Sequence, residues 1–144
     1  MNTQILQLGT SSYTIEIPES FEEGEKSEED VKNGLVVYMT SPEFKTDFDV
    51  YQYSKEGCPE DLAEHVQNEA TKYNTTDIKT DVDVNGITVA RCEAIEPFEG
   101  NDYNTITYYL DDGDTYVEIV FWLWDEASEE QAETIFSTLS STKN

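Results

Sequence analysis

Histidine occurs once in the chain, as His65. On a helix, the residues one turn away in each direction are Asp61 and Glu69. An imidazole oriented by a carboxylate is the arrangement a general base needs. A histidine at the edge of a buried helical stripe, with acidic neighbours, fits the same residues without catalysis. A catalytic set would also require a nucleophile. The chain holds no nucleophile elbow, glycine-rich phosphate loop or zinc-ligand spacing, so no catalytic residue is expected.

Asp111, Asp112 and Asp114 surround Gly113. Carboxylates so close together can hold Ca²⁺ weakly, since that ion takes six to eight oxygens from a flexible loop. The alternating ligands and distal Glu of an EF-hand are missing, and Asp and Gly are ordinary hairpin-turn residues. Asp77, Asp81 and Asp83 accompany Lys79 and read as a solvated strand face. Cys58 precedes a predicted helix, whose dipole would lower its pKa, while Glu56, Glu60 and Asp61 oppose the thiolate. Cys92 alternates with Ala90 and Ala94 and reads as small core filler. No metal and no cofactor is expected.

Rings are the remaining chemistry. Tyr51, Tyr53, Tyr108, Tyr109, Trp122 and Trp124 lie on predicted strands, and Tyr and Trp combine apolar area with a hydrogen-bonding tip. Tyr51, Tyr53, Tyr108 and Tyr109 are expected to form an interaction surface with an apolar centre and a negative rim. The alternative is that the rings cover the sheet beneath its helices.

The positioning elements follow from length and pattern. The 144 residues fit a single domain spanning the whole chain. Eight Lys and Arg face 32 Asp and Glu, a net charge of −24. That charge repels nucleic acid and anionic lipid, and attracts a basic partner or simply keeps the chain in solution. The start of the chain is neither basic nor apolar, and no apolar run approaches a membrane span. Taken as it stands the chain is expected in the cytoplasm. A secreted or lipoprotein ectodomain is expected instead if a leader has been removed.

Strands are predicted at 5–8 and 13–17, then an acidic loop at 19–32, then strands at 35–39 and 47–53. A helix at 60–73 starts from Cys58 as N-cap and Pro59 at its first position. It carries Leu62, Val66, Glu69 and Tyr73 on one stripe. Asn85-Gly86 joins strands 78–84 and 87–95 through a type I′ turn. Strands 104–110 and 115–124 form a second hairpin. The last strand is apolar on both faces and should be central and covered on both sides. Ser128 is expected to cap a final helix carrying Ala132, Ile135, Phe136 and Leu139.

Tyr13-Thr14-Ile15-Glu16-Ile17-Pro18 followed by Phe21, the helix from Leu62, the hairpin through Asn85-Gly86, and the ending Ile135-Phe136-Ser137-Thr138-Leu139-Ser140-Ser141 occur in a telling order. In them the chain resembles the Mog1/PsbP-like fold, including its bacterial DcrB-type and effector-chaperone members. The resemblance implies an α+β fold, an antiparallel sheet with helices on both faces in a three-layer sandwich. It also implies binding rather than catalysis, with no site residue to carry over.

The expected function is therefore a non-enzymatic binding or protein-interaction domain. Its partner would be a basic or amphipathic protein segment, or a second copy in a homodimer. The alternative is a weak ion-binding module or minor enzyme using its acidic loops. A cavity of converging carboxylates with His65 would favour the alternative, and an aromatic surface or groove would favour binding.

Overall fold

The computed structural model describes residues 2–56, 61–70 and 75–142. Among these, the N-terminal part contains β1 (Thr3–Gln7), β2 (Tyr13–Pro18), β3 (Glu22–Glu23), α1 (Glu28–Lys32), β4 (Leu35–Ser41) and β5 (Thr46–Ser54). It continues with α2 (Leu62–Ala70), β6 (Thr75–Val84), β7 (Ile87–Phe98), β8 (Asn101–Asp111) and β9 (Thr115–Leu123). The helix α3 (Glu126–Phe136) and the short strand β10 (Ser140–Ser141) follow. The strands expected from period-two alternation are present, several of them longer than expected. Asn85 and Gly86 take the positive φ angles, 54° and 84°, that a type I′ turn demands.

Two antiparallel sheets result among the described residues. The larger has the order β3-β4-β5-β9-β8-β7-β6, and the smaller has the order β1-β2-β10. After β5 the chain passes through α2 and re-enters the large sheet at its far edge, as β6. The meander β6 to β9 then brings it back beside β5. That route lays α2 across one face of the sheet, against β6, β7 and β8. The small sheet and α3 cover the other face, where α3 packs on β2, β5 and β9. The fold is α+β with helices on both faces of an antiparallel sheet, as the element order implied.

The main core lies between the large sheet and α3. Phe48, Ile106, Val117, Ile119 and Phe121 contribute from the sheet, and Ile135, Phe136 and Leu139 from the helical end, all essentially without solvent contact. A smaller cluster under α2 joins Val66 to Ala90, Cys92 and Tyr109.

Three expectations change. The 19–32 segment holds β3 and α1 instead of a plain acidic loop. Ser27 accepts from the Asp30 N–H and caps α1, while Glu28, Glu29 and Asp30 sit at the positive end of its dipole. The cap of α3 is Asp125 and not Ser128. Asp125 is extended and accepts from the Ser128 N–H at 3.2 Å, and Ser128 Oγ receives the Asp125 N–H at 3.3 Å. The helix thus starts three residues early, because Ser128 fills the reciprocal place in the capping box. Its hydroxyl is fully buried and also donates to the Lys45 carbonyl at 2.5 Å. Finally, the strands before Pro18 belong to the small sheet rather than to the main one. The expected cap at Cys58, Pro59 and the stripe position Tyr73 lie outside the described residues.

Candidate functional site

Strand register decides which rings meet. On β9, side chains of even number point away from the main core, towards the α2 side. Tyr51 on β5 and Tyr109 on β8 both pair with Glu118, one on each side of it. Directly opposed residues on neighbouring strands project to the same face. Glu118 is therefore flanked across the sheet by two tyrosines. One row further along, Asp49 pairs with Val120 and Val120 with Thr107, and Thr107 pairs with Cys92. In the row beyond, Asp47 faces Trp122. In the opposite direction Tyr53 faces Tyr116.

Because α2 lies mainly over β6–β8 and reaches β5 and β9 where His65 meets Tyr53 and Tyr116, the rest of the β5–β9 half is left as a cleft of about 550 Å³. Its floor is Tyr51, Tyr53, Glu118, Val120 and Trp122, and its sides are Tyr109, Cys92, Glu96 and, from α2, Glu69. Asp30 and Asn33 close it at the α1 end. An outer lobe shares Asp30, Asp49, Tyr51 and Trp122 and adds the apolar surfaces of Leu35, Tyr38 and Phe98. Phe98 is 56% exposed and meets Trp122 edge-on at 6.2 Å. Among the described residues, five carboxylates line the inner cleft, and no Lys, Arg or His does.

Electrostatics follow from that lining. Burial pushes the Asp49 carboxyl up to about 6. The Trp122 indole N–H, donating to Oδ2 at 3.1 Å, pulls the other way, and Asp30, Asp47 and Glu96 push further up. Burial, then the neighbouring carboxylates, holds the phenols of Tyr51, Tyr53 and Tyr109 well above their ordinary value. For Tyr53 and Tyr109 the carboxylate with the largest influence is Glu118, so these groups share one negative field. Burial also raises the Cys92 thiol, which lies 3.9 Å from the Tyr109 hydroxyl. Such a thiol is a poor nucleophile.

His65 does not face the cleft. It is 1% exposed, its ring is stacked on Tyr116 at 4.2 Å, and Nε2 is 2.6 Å from the Tyr53 hydroxyl. Tyr53 in turn donates to Glu118 at 3.0 Å. The histidine acts through Tyr53, as the buried anchor of a ring that the cleft does expose.

Of the four tyrosines expected to form a surface, the structure brings together Tyr51, Tyr53 and Tyr109. Tyr51 and Tyr53 are half-buried and Tyr109 is buried, so they form the wall of a concavity and not an exposed patch. Tyr108 stands on the opposite face. It is stacked on Phe136 at 3.7 Å and receives a hydrogen bond from Arg91 Nε at 3.4 Å. Adjacent residues on a strand point to opposite faces, so Tyr108 and Tyr109 cannot share a surface. The residues that sequence reasoning missed are Glu118, Asp49 and Glu96. Their only signal was a charge inside an otherwise apolar strand pattern.

The acidic turn of β8–β9 is occupied by its own protein. Asp111 Oδ1 accepts from Lys55 Nζ at 2.5 Å and from the Gly113 N–H at 2.9 Å. Asp112 Oδ1 accepts from the Ser12 hydroxyl at 2.7 Å. Among the described residues, no three His, Cys, Asp or Glu side chains converge closely enough to hold a metal ion. No helix among them is long and apolar enough to cross a membrane.

No family model and no curated protein matches the chain. Solved structures do. A protein of Bacteroides thetaiotaomicron superposes with a TM-score of 0.63 at 16% identity, over 96% of this chain and 50% of its own. The chain thus spans half the length of that protein. The PsbP protein CyanoP of Synechocystis sp. PCC 6803 gives 0.64 at 9% identity, over 96% and 92%. LpqN of Mycobacterium tuberculosis, involved in cell envelope biogenesis, gives 0.60 at 8% identity, over 99% and 91%. At such identities the likeness shows the fold alone, and the fold is Mog1/PsbP-like.

Proposed function

We propose that the chain is a non-enzymatic binding domain that receives a basic, amphipathic segment of a protein partner in the cleft between α1 and α2. One observation carries this reading: a cleft lined by Tyr51, Tyr53, Tyr109 and Trp122 whose described ionisable groups are carboxylates, phenols and the Cys92 thiol, with no cationic side chain among them. Aromatic walls supply contact area, and the carboxylates supply complementarity to cations. The outer lobe, with Phe98 and Leu35, suits the apolar side of the same segment. A second copy fits less well, since pairing two such clefts would face carboxylates with carboxylates. Catalysis is disfavoured because the lone imidazole is turned onto Tyr53 and Tyr116, away from any bound molecule.

The test is calorimetric titration with a Lys-rich amphipathic peptide and a Glu-rich peptide of equal length, at two salt concentrations. Saturable binding of the basic peptide is expected, weakened by salt and by Tyr51→Ala. Indifference to peptide charge, or to Tyr51→Ala in a folded variant, would defeat the reading.

A further inference from the structure

An open sheet edge is a row of unpartnered N–H and C=O groups, and proteins guard such edges with charge, bulges or brevity. In the large sheet β3 is only Glu22 and Glu23, and β6 carries Asp77, Lys79, Asp81 and Asp83. The register of β6 also breaks on both sides of Lys79, and Asp77 has a φ of 48°. In the small sheet β10 is only Ser140 and Ser141. β1 has none of these guards. Thr3-Gln4-Ile5-Leu6-Gln7 includes no charge and no proline, its register is unbroken, and β2 is its one strand partner among the described residues.

The pairing fixes which backbone groups face outward. The Asn2 carbonyl accepts from the Glu19 N–H, and the Leu8 N–H donates to the Tyr13 carbonyl. Bonded positions of an antiparallel pair alternate with unbonded ones. Gln4 and Leu6 therefore bond to β2, while Thr3, Ile5 and Gln7 turn their N–H and C=O groups away from it. On β2 the same alternation turns Glu16 away from β1, and its N–H donates to Thr138 Oγ1 instead. Side chains follow the same parity. Gln4 donates to the Phe21 carbonyl and Leu6 packs on the main core, whereas Ile5 is 73% exposed.

We propose that β1 is a docking edge for β1 of a second copy, paired antiparallel about a two-fold axis at Ile5. Ile5 then faces its own counterpart, Thr3 faces Gln7 and Gln4 faces Leu6. The Ile5 pair and the Thr3–Gln7 pairs each exchange two hydrogen bonds, and the exposed Ile5 side chains cover one another. Charge selects this edge. Two copies at −24 repel, and the first charged side chain of the sequence is Glu16. Glu16 stands opposite Ile5 on β2. In the joined sheet the two Glu16 residues are three strand spacings apart, about 14 Å. That exceeds the Debye length of about 8 Å at physiological salt. A basic segment gains little from an edge whose own residues are neutral, whereas a second copy meets its match in polarity and length. The interface is small, so the dimer is weak and reversible. It uses none of the cleft residues and does not depend on the binding of a basic segment.

The experiment takes the full chain over a rising series of concentrations, by sedimentation equilibrium and by amide exchange followed by NMR. A reversible monomer–dimer equilibrium is expected, tightened by added monovalent salt. The amides of Thr3, Ile5 and Gln7 should exchange freely in the monomer and slow at least about tenfold in the dimer, whereas those of Gln4 and Leu6 are protected in both. Ile5→Pro removes one outward N–H without touching the β2 pairing, and proline is tolerated on such an edge. It should weaken the dimer at least about tenfold. If Ile5→Pro does not fold, Ile5→Lys takes its place with the same expected loss, because it sets two ammonium groups opposite each other across the axis. A chain that stays monomeric at millimolar concentration overturns the proposal. So does a dimer in which Thr3, Ile5 and Gln7 still exchange freely, or one that the folded variant leaves unchanged. A monomer in which these three amides are already protected overturns it too, since a segment of the same chain then covers the edge.

Discussion

The phenol oxygen of Tyr53 lies 2.6 Å from Nε2 of His65, joining a helix to a strand beneath the cleft. The direction of the bond follows from its neighbour. An ionised Glu118 can only accept, so Tyr53 donates to Glu118 and must accept from His65, placing a proton on Nε2. This short relay fixes the Tyr53 ring and sets α2 against the sheet.

Tyr53→Phe removes both hydrogen bonds and leaves the ring volume unchanged. A buried donor and an acidic acceptor each lose this partner, so the variant should be less stable by about 1–3 kcal/mol. Urea denaturation at neutral pH is the measurement. A loss below about 0.5 kcal/mol would mean the relay does not hold α2 in place.

Tyr108 and Tyr51 should respond unequally to truncation. Tyr108 is 5% exposed and stacked on Phe136, so Tyr108→Ala opens a core cavity and should cost about 3–5 kcal/mol. Tyr51 is half-buried at the cleft wall. Tyr51→Ala should cost less than about 2 kcal/mol, because the site can hydrate instead of leaving a void. Equal costs in paired denaturation curves would place both rings in one environment, against the observed register.

Asp49 couples stability to pH. Its carboxyl ionises near 3.8 when exposed and at about 6 in the folded chain, chiefly because it is buried. The protonated form is thus favoured by folding. The stability it contributes is complete below pH 3.8 and is lost as pH rises through about 6. Asp49→Asn keeps an acceptor for Trp122 and removes the charge. At pH 7 it should stabilise by up to about 3 kcal/mol, the equivalent of the shift. Its advantage should vanish near pH 4. A variant that gains nothing at pH 7 relative to pH 4 would show that Asp49 is solvated.

Ser128→Ala should cost about 1–2 kcal/mol, although Ser128 is not the N-cap. The variant loses one half of the capping box and a buried bond to the Lys45 carbonyl. Thermal or urea denaturation reads the loss. A neutral outcome would mean that Asp125 caps the helix alone.

With a net charge of −24, the folded chain repels itself. Added monovalent salt should raise Tm by screening that repulsion. A few millimolar Ca²⁺ at constant ionic strength should add little, since Asp111 and Asp112 already accept from Lys55 and Ser12. A saturable, calcium-specific rise abolished by Asp112→Asn would make the β8–β9 turn an ion site.

Local pattern was enough for the longer strands, though not for the two-residue β3 and β10, because side-chain alternation and the Asn85-Gly86 turn are properties of a few adjacent residues. It was enough for α3 as well, whose stripe of Ala132, Ile135, Phe136 and Leu139 is buried as its spacing requires. It also separated Tyr51 and Tyr53 from Phe48 and Val50, since parity alone assigns them to opposite faces. The start of α3 was misplaced because Asp125 and Ser128 are both good caps, and the choice depends on an extended Asp125 and a buried contact to Lys45. The site itself was not legible. Glu118 meets Tyr51 from residues 67 positions away because β9 inserts beside β5, and it meets Tyr109 through the neighbouring strand. Strand order and register are set by how the whole sheet buries Val117, Ile119 and Phe121 against α3, not by any segment alone. A charged residue on an apolar strand is ambiguous in sequence. Only the packed sheet, with α2 covering part of one face and leaving the rest open, turns that residue into the floor of a cleft.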